Sequence, residues 1–285
     1  MLLFTYACYL LTHGYAPSGL LTSTINPIPK GKHKSANNSE NYRGIALGSL
    51  LGKVFDRVIL NNHWDKLKSS DLQFRFKPKH STTQCTFIVN EVIQYYRNNG
   101  SNVYSCMLDA TKAFDRVQYV KMFSLLQQKG VCPLVIRLLA VMYTDQSLRI
   151  KWGNCKSSRF AVSNGVKQGG ILSPILFAIY IDELLTRIKN SEIGCCIGNL
   201  FMGCMGYADD VILISPTVTA LKIMLQIVDK FGEEYNVKFN PDKCKLLCYN
   251  NGTGDGICRG ITHNGVYISA EQSASHLGNT LGTNL

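Results

Sequence analysis

The sequence predicts an α+β protein with a mostly antiparallel sheet, and three observations carry that expectation. Stretches of helical period and stretches of strand character alternate irregularly, without the regular strand–helix succession of a parallel sheet. Neither an internal repeat nor a low-complexity tract is present. With 285 residues, 46% hydrophobic and 17% charged, the chain is globular and long enough for one or two domains with a sizeable core.

Residues 1–11 are apolar, too short to span a bilayer, and lack the basic start and cleavage site of a signal peptide. They are expected to form a packed helix. Residues 30–41 are basic, polar and rich in Ser and Asn, as in an exposed loop. Ser49 is placed to cap a helix with Leu51, Val54, Phe55, Val58 and Ile59 on one face. Residues 72–81 form a second basic loop, in which Arg75, Lys77, Lys79 and His80 interleave with Phe74 and Phe76. A helix through Val89, Val92, Ile93 and Tyr96 follows.

Residues 103–108 read as a strand that delivers Asp109 at its end, with Val103, Ser105, Met107 and Asp109 on one face. Residues 134–142 are helical, and 148–152 with 159–162 form a strand pair turned at Gly153-Asn154. Ser173-Pro174 opens a helix through Ile175, Leu176, Ile179 and Leu184. Residues 221–235 form a further amphipathic helix, and 240–249 return as a strand.

Thirty Lys and Arg against nineteen Asp and Glu give a net charge of +11, which favours a polyanionic partner such as nucleic acid or an anionic membrane. Eleven cysteines, an odd number, point to free thiols in a reducing compartment. Cys244, Cys248, Cys258 and His263 invite a zinc reading, but their spacing matches no strong ligand pattern. With no transmembrane segment, the expectation is an intracellular protein of nucleus or cytoplasm, with no membrane partner.

The most informative residues are Tyr207-Ala208-Asp209-Asp210, where two carboxylates interrupt an apolar strand pattern. Such a pair is costly unless neutralised, and a divalent metal is the usual answer. Asp109 ends another strand. If those strands are neighbours, three carboxylates converge and can hold two hard cations roughly 3.5–4 Å apart, which clamp both oxygens of an in-line phosphoryl displacement. On a regular strand Asp209 and Asp210 face opposite ways, so both contribute only at a tight hairpin turn. Singly, each candidate has a plainer reading: Asp109 as a helix cap, Phe114 as core, Gln168-Gly169-Gly170 as a turn, Lys30 and Arg43 as solvated charges, Lys243 as a strand-edge lysine.

Taken together and in order, the motifs resemble the reverse transcriptase domain of non-LTR (LINE-type, jockey-like) retrotransposons, from about residue 20 to 278. Ile25-Asn26-Pro27-Ile28-Pro29-Lys30 and Asn41-Tyr42-Arg43-Gly44-Ile45-Ala46-Leu47 resemble the triphosphate-contacting segments. Leu108-Asp109-Ala110-Thr111-Lys112-Ala113-Phe114-Asp115 resembles the first catalytic motif, and Tyr207 to Asp210 the second. Gly165-Val166-Lys167-Gln168-Gly169-Gly170-Ile171-Leu172-Ser173-Pro174 resembles the template and nucleotide loop. Asn240-Pro241-Asp242-Lys243 resembles the lysine-bearing strand, and His276-Leu277-Gly278 the primer grip.

The resemblance implies the fingers and palm of a right-handed polymerase, with an antiparallel palm sheet backed by helices. Fingers would occupy 1–100 and 129–161, palm 101–128 and 162–275, with a truncated end at 276–285 and neither thumb nor endonuclease. It implies an RNA template, a DNA primer and dNTPs as partners, and two Mg²⁺ ions, with Mn²⁺ as a substitute. Asp109 and Asp209 would be the principal metal ligands, Asp210 a second-tier carboxylate and the Ala110 carbonyl a further oxygen. Phe114 would be the steric gate against a ribose 2′-hydroxyl. Lys30 and Arg43 would bind the triphosphate, Gln168 and Gly169 would pack by the nucleotide, and Lys243 would protonate departing pyrophosphate.

The chain departs from the family pattern where Gly44 stands for proline, Arg75 and Asn236 for glycine, and His276 for tyrosine. Arg75 is the sharpest departure, since a side chain strains a loop position that needs glycine. Two other classes stay open: an inactive element remnant that binds nucleic acid without catalysis, and a structural or interaction module.

Overall fold

The structure is a computed structural model that describes residues 2–31, 35, 37–249, 258–263 and 265–283. The chain divides into two compact units, Met1–Lys68 with Phe114–Ile179, and Ser69–Ala113 with Tyr180–Leu285. These divisions differ from the domain boundaries expected from the sequence. Part of the loop expected at 30–41 lies outside the described residues.

In the first unit a five-stranded sheet runs in the order Tyr42–Leu47, Thr22–Pro29, Ser147–Trp152, Cys155–Lys156, with Phe160–Ala161 also on Ser147–Trp152. Thr22–Pro29 is antiparallel to Tyr42–Leu47 and parallel to Ser147–Trp152, the latter only through residues 22–25. Pro27 and Pro29 therefore fall where the strand is an edge on that side, as a residue without an N–H requires. The turn at Gly153-Asn154 is present, but its return arm is broken into two short strands, because the Ile150 amide donates to Ser157 Oγ at 2.9 Å instead.

Helices Leu2–His13, Leu50–His63 and Pro133–Thr144 contribute Leu10, Phe55, Leu138 and Met142 to one buried cluster. Arg137 donates to the carbonyls of Leu11 and Thr12, both at 2.7 Å, satisfying the end of the apolar first helix. Ser49 Oγ caps its helix by accepting from the Gly52 amide. That helix turns Phe55, Ile59 and Leu60 inward, leaving Leu51 and Val58 exposed, unlike the face expected.

The second unit is built on a six-stranded sheet in the order Gly260–His263, Val266–Glu271, Lys245–Tyr249, Val103–Asp109, Asp210–Ser215, Cys204–Tyr207. Its pairings are antiparallel except Lys245–Tyr249 with Val266–Glu271. Val103–Asp109 is central and residues 103–108 are all buried, so both of its faces are covered rather than one. Helix Thr82–Asn98 packs Val89, Val92 and Ile93 against Met107, Ile212 and Leu247 of the sheet.

Residues 240–249 are not one strand. Pro241–Lys243 form a 3-10 turn, capped by Asn240 Oδ1 accepting from the Asp242 amide at 3.1 Å, and the strand starts at Lys245. Pro241 fixes the backbone for such a turn and has no N–H for a ladder. Among the described residues, no helix is long and apolar enough to cross a membrane.

Candidate active site

The backbone register of the second unit sets the site. Asp210 lies opposite Asp109 across one strand pair and opposite Tyr207 across the other. Ala208 and Asp209 are therefore a two-residue hairpin turn, the geometry that both carboxylates required. Ala208 sits at φ +61, a left-handed conformation that strains a non-glycine residue. Its amide donates to Gln73 Oε1 at 2.9 Å, and the Gln73 side chain is fully buried. Gln73 also bridges Gly206, where an added Cβ would stand 3.0 Å from Gln73 Nε2 and 2.9 Å from Leu185 Cδ1.

Like charge crowds this turn. Lys243 Nζ stands 2.9 Å from Asp109 Oδ2, an ion pair in which that shielded oxygen accepts no well-directed hydrogen bond. The Asp109 carboxylate raises the Lys243 pKa. The Asp210 carboxyl is pushed up to about 6 by burial, then by Asp209 and Asp109, with Arg75 acting the other way. Asp210 keeps solvent contact at the start of its strand.

The Asp109 carbonyl accepts from the Asn240 amide at 2.9 Å, and Ala110 bridges Phe239, which ties the lysine-bearing turn to the carboxylate strand. Asn236, in the same segment, takes φ +53, the backbone that a glycine would adopt there.

Among the described residues, no group of three or more His, Cys, Asp or Glu forms a ready cation cage. Asp109 is turned toward Lys243. Hard oxygen donors and their mutual repulsion nevertheless suit a divalent cation.

The other expected residues belong to the first unit. Lys30 and Arg43 are exposed at the paired ends of strands Thr22–Pro29 and Tyr42–Leu47, where the Lys30 amide donates to Asn41 O and Arg43 lies opposite Ile28. Gln168 O accepts from the Ala46 amide at 2.6 Å. Gly169 sits at φ +114, where a Cβ would stand 2.7 Å from Ala46 O, so only glycine fits. Phe114 is half-buried, stacked on Phe177 with ring centroids 4.4 Å apart, and its carbonyl accepts from the Val166 amide.

Sequence reasoning missed Gln73 and treated Arg75 only as a misfit. The Arg75 backbone is not left-handed. Phe76 and Lys79 take that conformation instead, at φ +63 and +62. A lone amide in the apolar run Leu72-Gln73-Phe74 was the available signal for Gln73. His276 is buried in the strand Ser273–His276, and Leu277-Gly278 form a two-residue turn with φ +51 and +80.

Residues 28–282 match the family described as reverse transcriptase (RNA-dependent DNA polymerase). The RNA-directed DNA polymerase from the mobile element jockey of Drosophila funebris is 29% identical over 97% of this chain and 30% of its own length. The retrovirus-related Pol polyprotein from the type-2 retrotransposable element R2DM of Drosophila melanogaster is 27% identical over 81% of this chain and 22% of its own. The chain thus spans under a third of the length of these relatives. Apo telomerase from Candida tropicalis, truncated from its C-terminal domain, shares the fold, with a TM-score of 0.61 at 13% identity over 97% of this chain and 59% of that one. A strand pair ending in opposed aspartates, a family match over most of the sequence and similarity to jockey and R2 elements lead to one assignment: the chain belongs to the reverse transcriptase family, in its non-LTR retrotransposon branch.

Proposed function

We propose that this chain extends a DNA primer on an RNA template with dNTPs, as the polymerase domain of a non-LTR element. The observation that carries the reading is the hairpin that sets Asp209 and Asp210 beside Asp109. Asp109, Asp209 and Asp210, with the Ala110 carbonyl, would hold two Mg²⁺ ions. Bound there, the ions would supply activation of the primer 3′-hydroxyl and charge stabilisation at the leaving oxygen. Fingers in this reading correspond to the first unit and palm to the second.

Each side chain has a physical task. Lys243 keeps a proton on an exposed ammonium beside Asp109 and donates it to departing pyrophosphate. Lys30 offers a point charge and Arg43 a forked donor to the triphosphate. The Phe114 ring, braced by Phe177, excludes a ribose 2′-hydroxyl. Gln168 and Gly169 form a backbone wall for the nucleotide, held in shape by Ala46. The basic excess tracks the phosphate backbones.

Primer extension on an RNA template tests this, with Asp209→Asn as control. Extension is expected from the chain, and roughly a thousandfold less from the variant. Equal incorporation by the variant would sink the carboxylate assignment. Salt-sensitive binding without incorporation would support a non-catalytic remnant, and neither activity nor binding an interaction module.

A further inference from the structure

We propose that Arg75 is a phosphate-binding residue of the carboxylate site, presenting its guanidinium edge to a phosphate ester of the substrate. The inference rests on the polymerase reading. It starts from a segment pinned to the Asp-bearing hairpin: the Phe74 amide donates to Gly206 O and the Gly206 amide to Leu72 O, both at 2.8 Å. Gln73 Oε1 accepts from the Arg75 amide at 3.1 Å as well as from the Ala208 amide, so the backbone of Arg75 and the catalytic turn share one buried acceptor.

The side chain is held as firmly. Its guanidinium carbon stands 4.9 Å from the ring centroid of Tyr207 and 5.1 Å from that of Phe76. Phe76 keeps the left-handed backbone that places its ring there, a conformation that costs on the order of 1 kcal/mol or more. Two aromatic rings thus fix the guanidinium, and the residue remains exposed.

Among the described residues the guanidinium makes no hydrogen bond or ion pair. Lys77 of the same loop is engaged by the Ser70 carbonyl and Asp71. Lys79 is exposed and adds positive charge. Arg75 also acts on the Asp210 carboxyl, which places it within electrostatic reach of the acidic turn. A planar, immobilised fork of N–H donors with no internal acceptor matches a phosphate group better than an ammonium does. Two sources can supply that phosphate, the strand whose 3′ end is extended and the triphosphate of the incoming nucleotide.

The test compares the chain with Arg75→Gln and Arg75→Lys. Binding of a primer–template is measured by anisotropy in EDTA over a salt series, and KM for primer–template and for dNTP separately in extension assays. Arg75→Gln is expected to weaken one of the two substrates about three- to thirtyfold, with kcat within about twofold and the melting temperature unchanged, and Arg75→Lys to recover part of the loss. A strand phosphate lowers the slope of log K against log salt by about one. A nucleotide phosphate raises the dNTP KM and leaves the slope alone. Unchanged affinity for both substrates overturns the inference, and so does a fall in kcat alone, which loss of Tyr207 support would give. A parent chain that neither binds nor extends primer–template sinks the polymerase reading, and this inference with it.

Discussion

Asp56, on helix Leu50–His63 of the first unit, and Asp210, at the head of strand Asp210–Ser215 in the second, each stand beside residues with a proposed substrate contact, yet their surroundings differ. Asp56 Oδ2 accepts from the Ile171 amide at 3.2 Å, and the half-buried Lys167 faces it. Burial raises the Asp56 pKa, while the Leu172 and Ile171 amides and Lys167 lower it. Burial likewise lowers the Lys167 pKa, against the pull of Asp56. The pair braces the Gly169 loop and leaves little charge for a ligand. At Asp210 the neighbours are two more carboxylates, and the nearest cations are exposed side chains. One carboxylate is compensated by backbone amides and a facing lysine. The other is crowded by like charge.

The largest effect on that contrast is expected from Gly169→Ala. A Cβ 2.7 Å from Ala46 O, on a backbone at φ +114, should cost about 2–4 kcal/mol, read as a fall in melting temperature. A neutral result would mean that the glycine loop is soft.

The pH dependence of metal-free stability comes next. Burial pushes His276 down to about 4, below its ordinary 6.5. The unfolded chain then binds a proton that the folded chain refuses, so stability should fall by up to about 3 kcal/mol as pH drops from 6.5 to 4. Asp210 acts with opposite sign. Its folded pKa lies above the unfolded one, so stability is lost as pH rises from 3.8 toward about 6. Urea titrations of the parent chain and Asp210→Asn separate the two, and the variant should show the steeper rise with pH.

The smallest differences separate the lysines. Lys167→Met should cost about 1–3 kcal/mol by stranding a desolvated Asp56, and less when combined with Asp56→Asn. Lys243→Gln should change stability by less than about 1 kcal/mol, since that ammonium is 61% exposed. Similar losses from both would erase the distinction.

Much of the molecule was legible beforehand. The helix cap at Ser49 and the apolar periods through residues 89–96 and 221–235 located helices within a few residues, because capping and burial are local or periodic. Gly153-Asn154 marked its turn, and Asn236 its left-handed backbone. The misses were positions decided by partners distant in sequence. Gln73 reaches a turn 135 residues away. Arg75 escaped strain because Phe76 took the left-handed backbone next to it. The 3-10 turn before Lys245 replaced the expected strand start through Asn240 and Pro241, both visible but weighed as a strand.

By itself, the sequence determined the residue types of the site, their order, and the requirement that Asp209 and Asp210 share a tight turn. Those follow from chemistry and from the period of a strand. Only the tertiary structure decided that Asp109 lies opposite Asp210, that Lys243 pairs with Asp109, that Gln73 holds the turn and that Arg75 stacks on Tyr207. Register between distant strands is set by the burial of whole faces, which no single segment encodes.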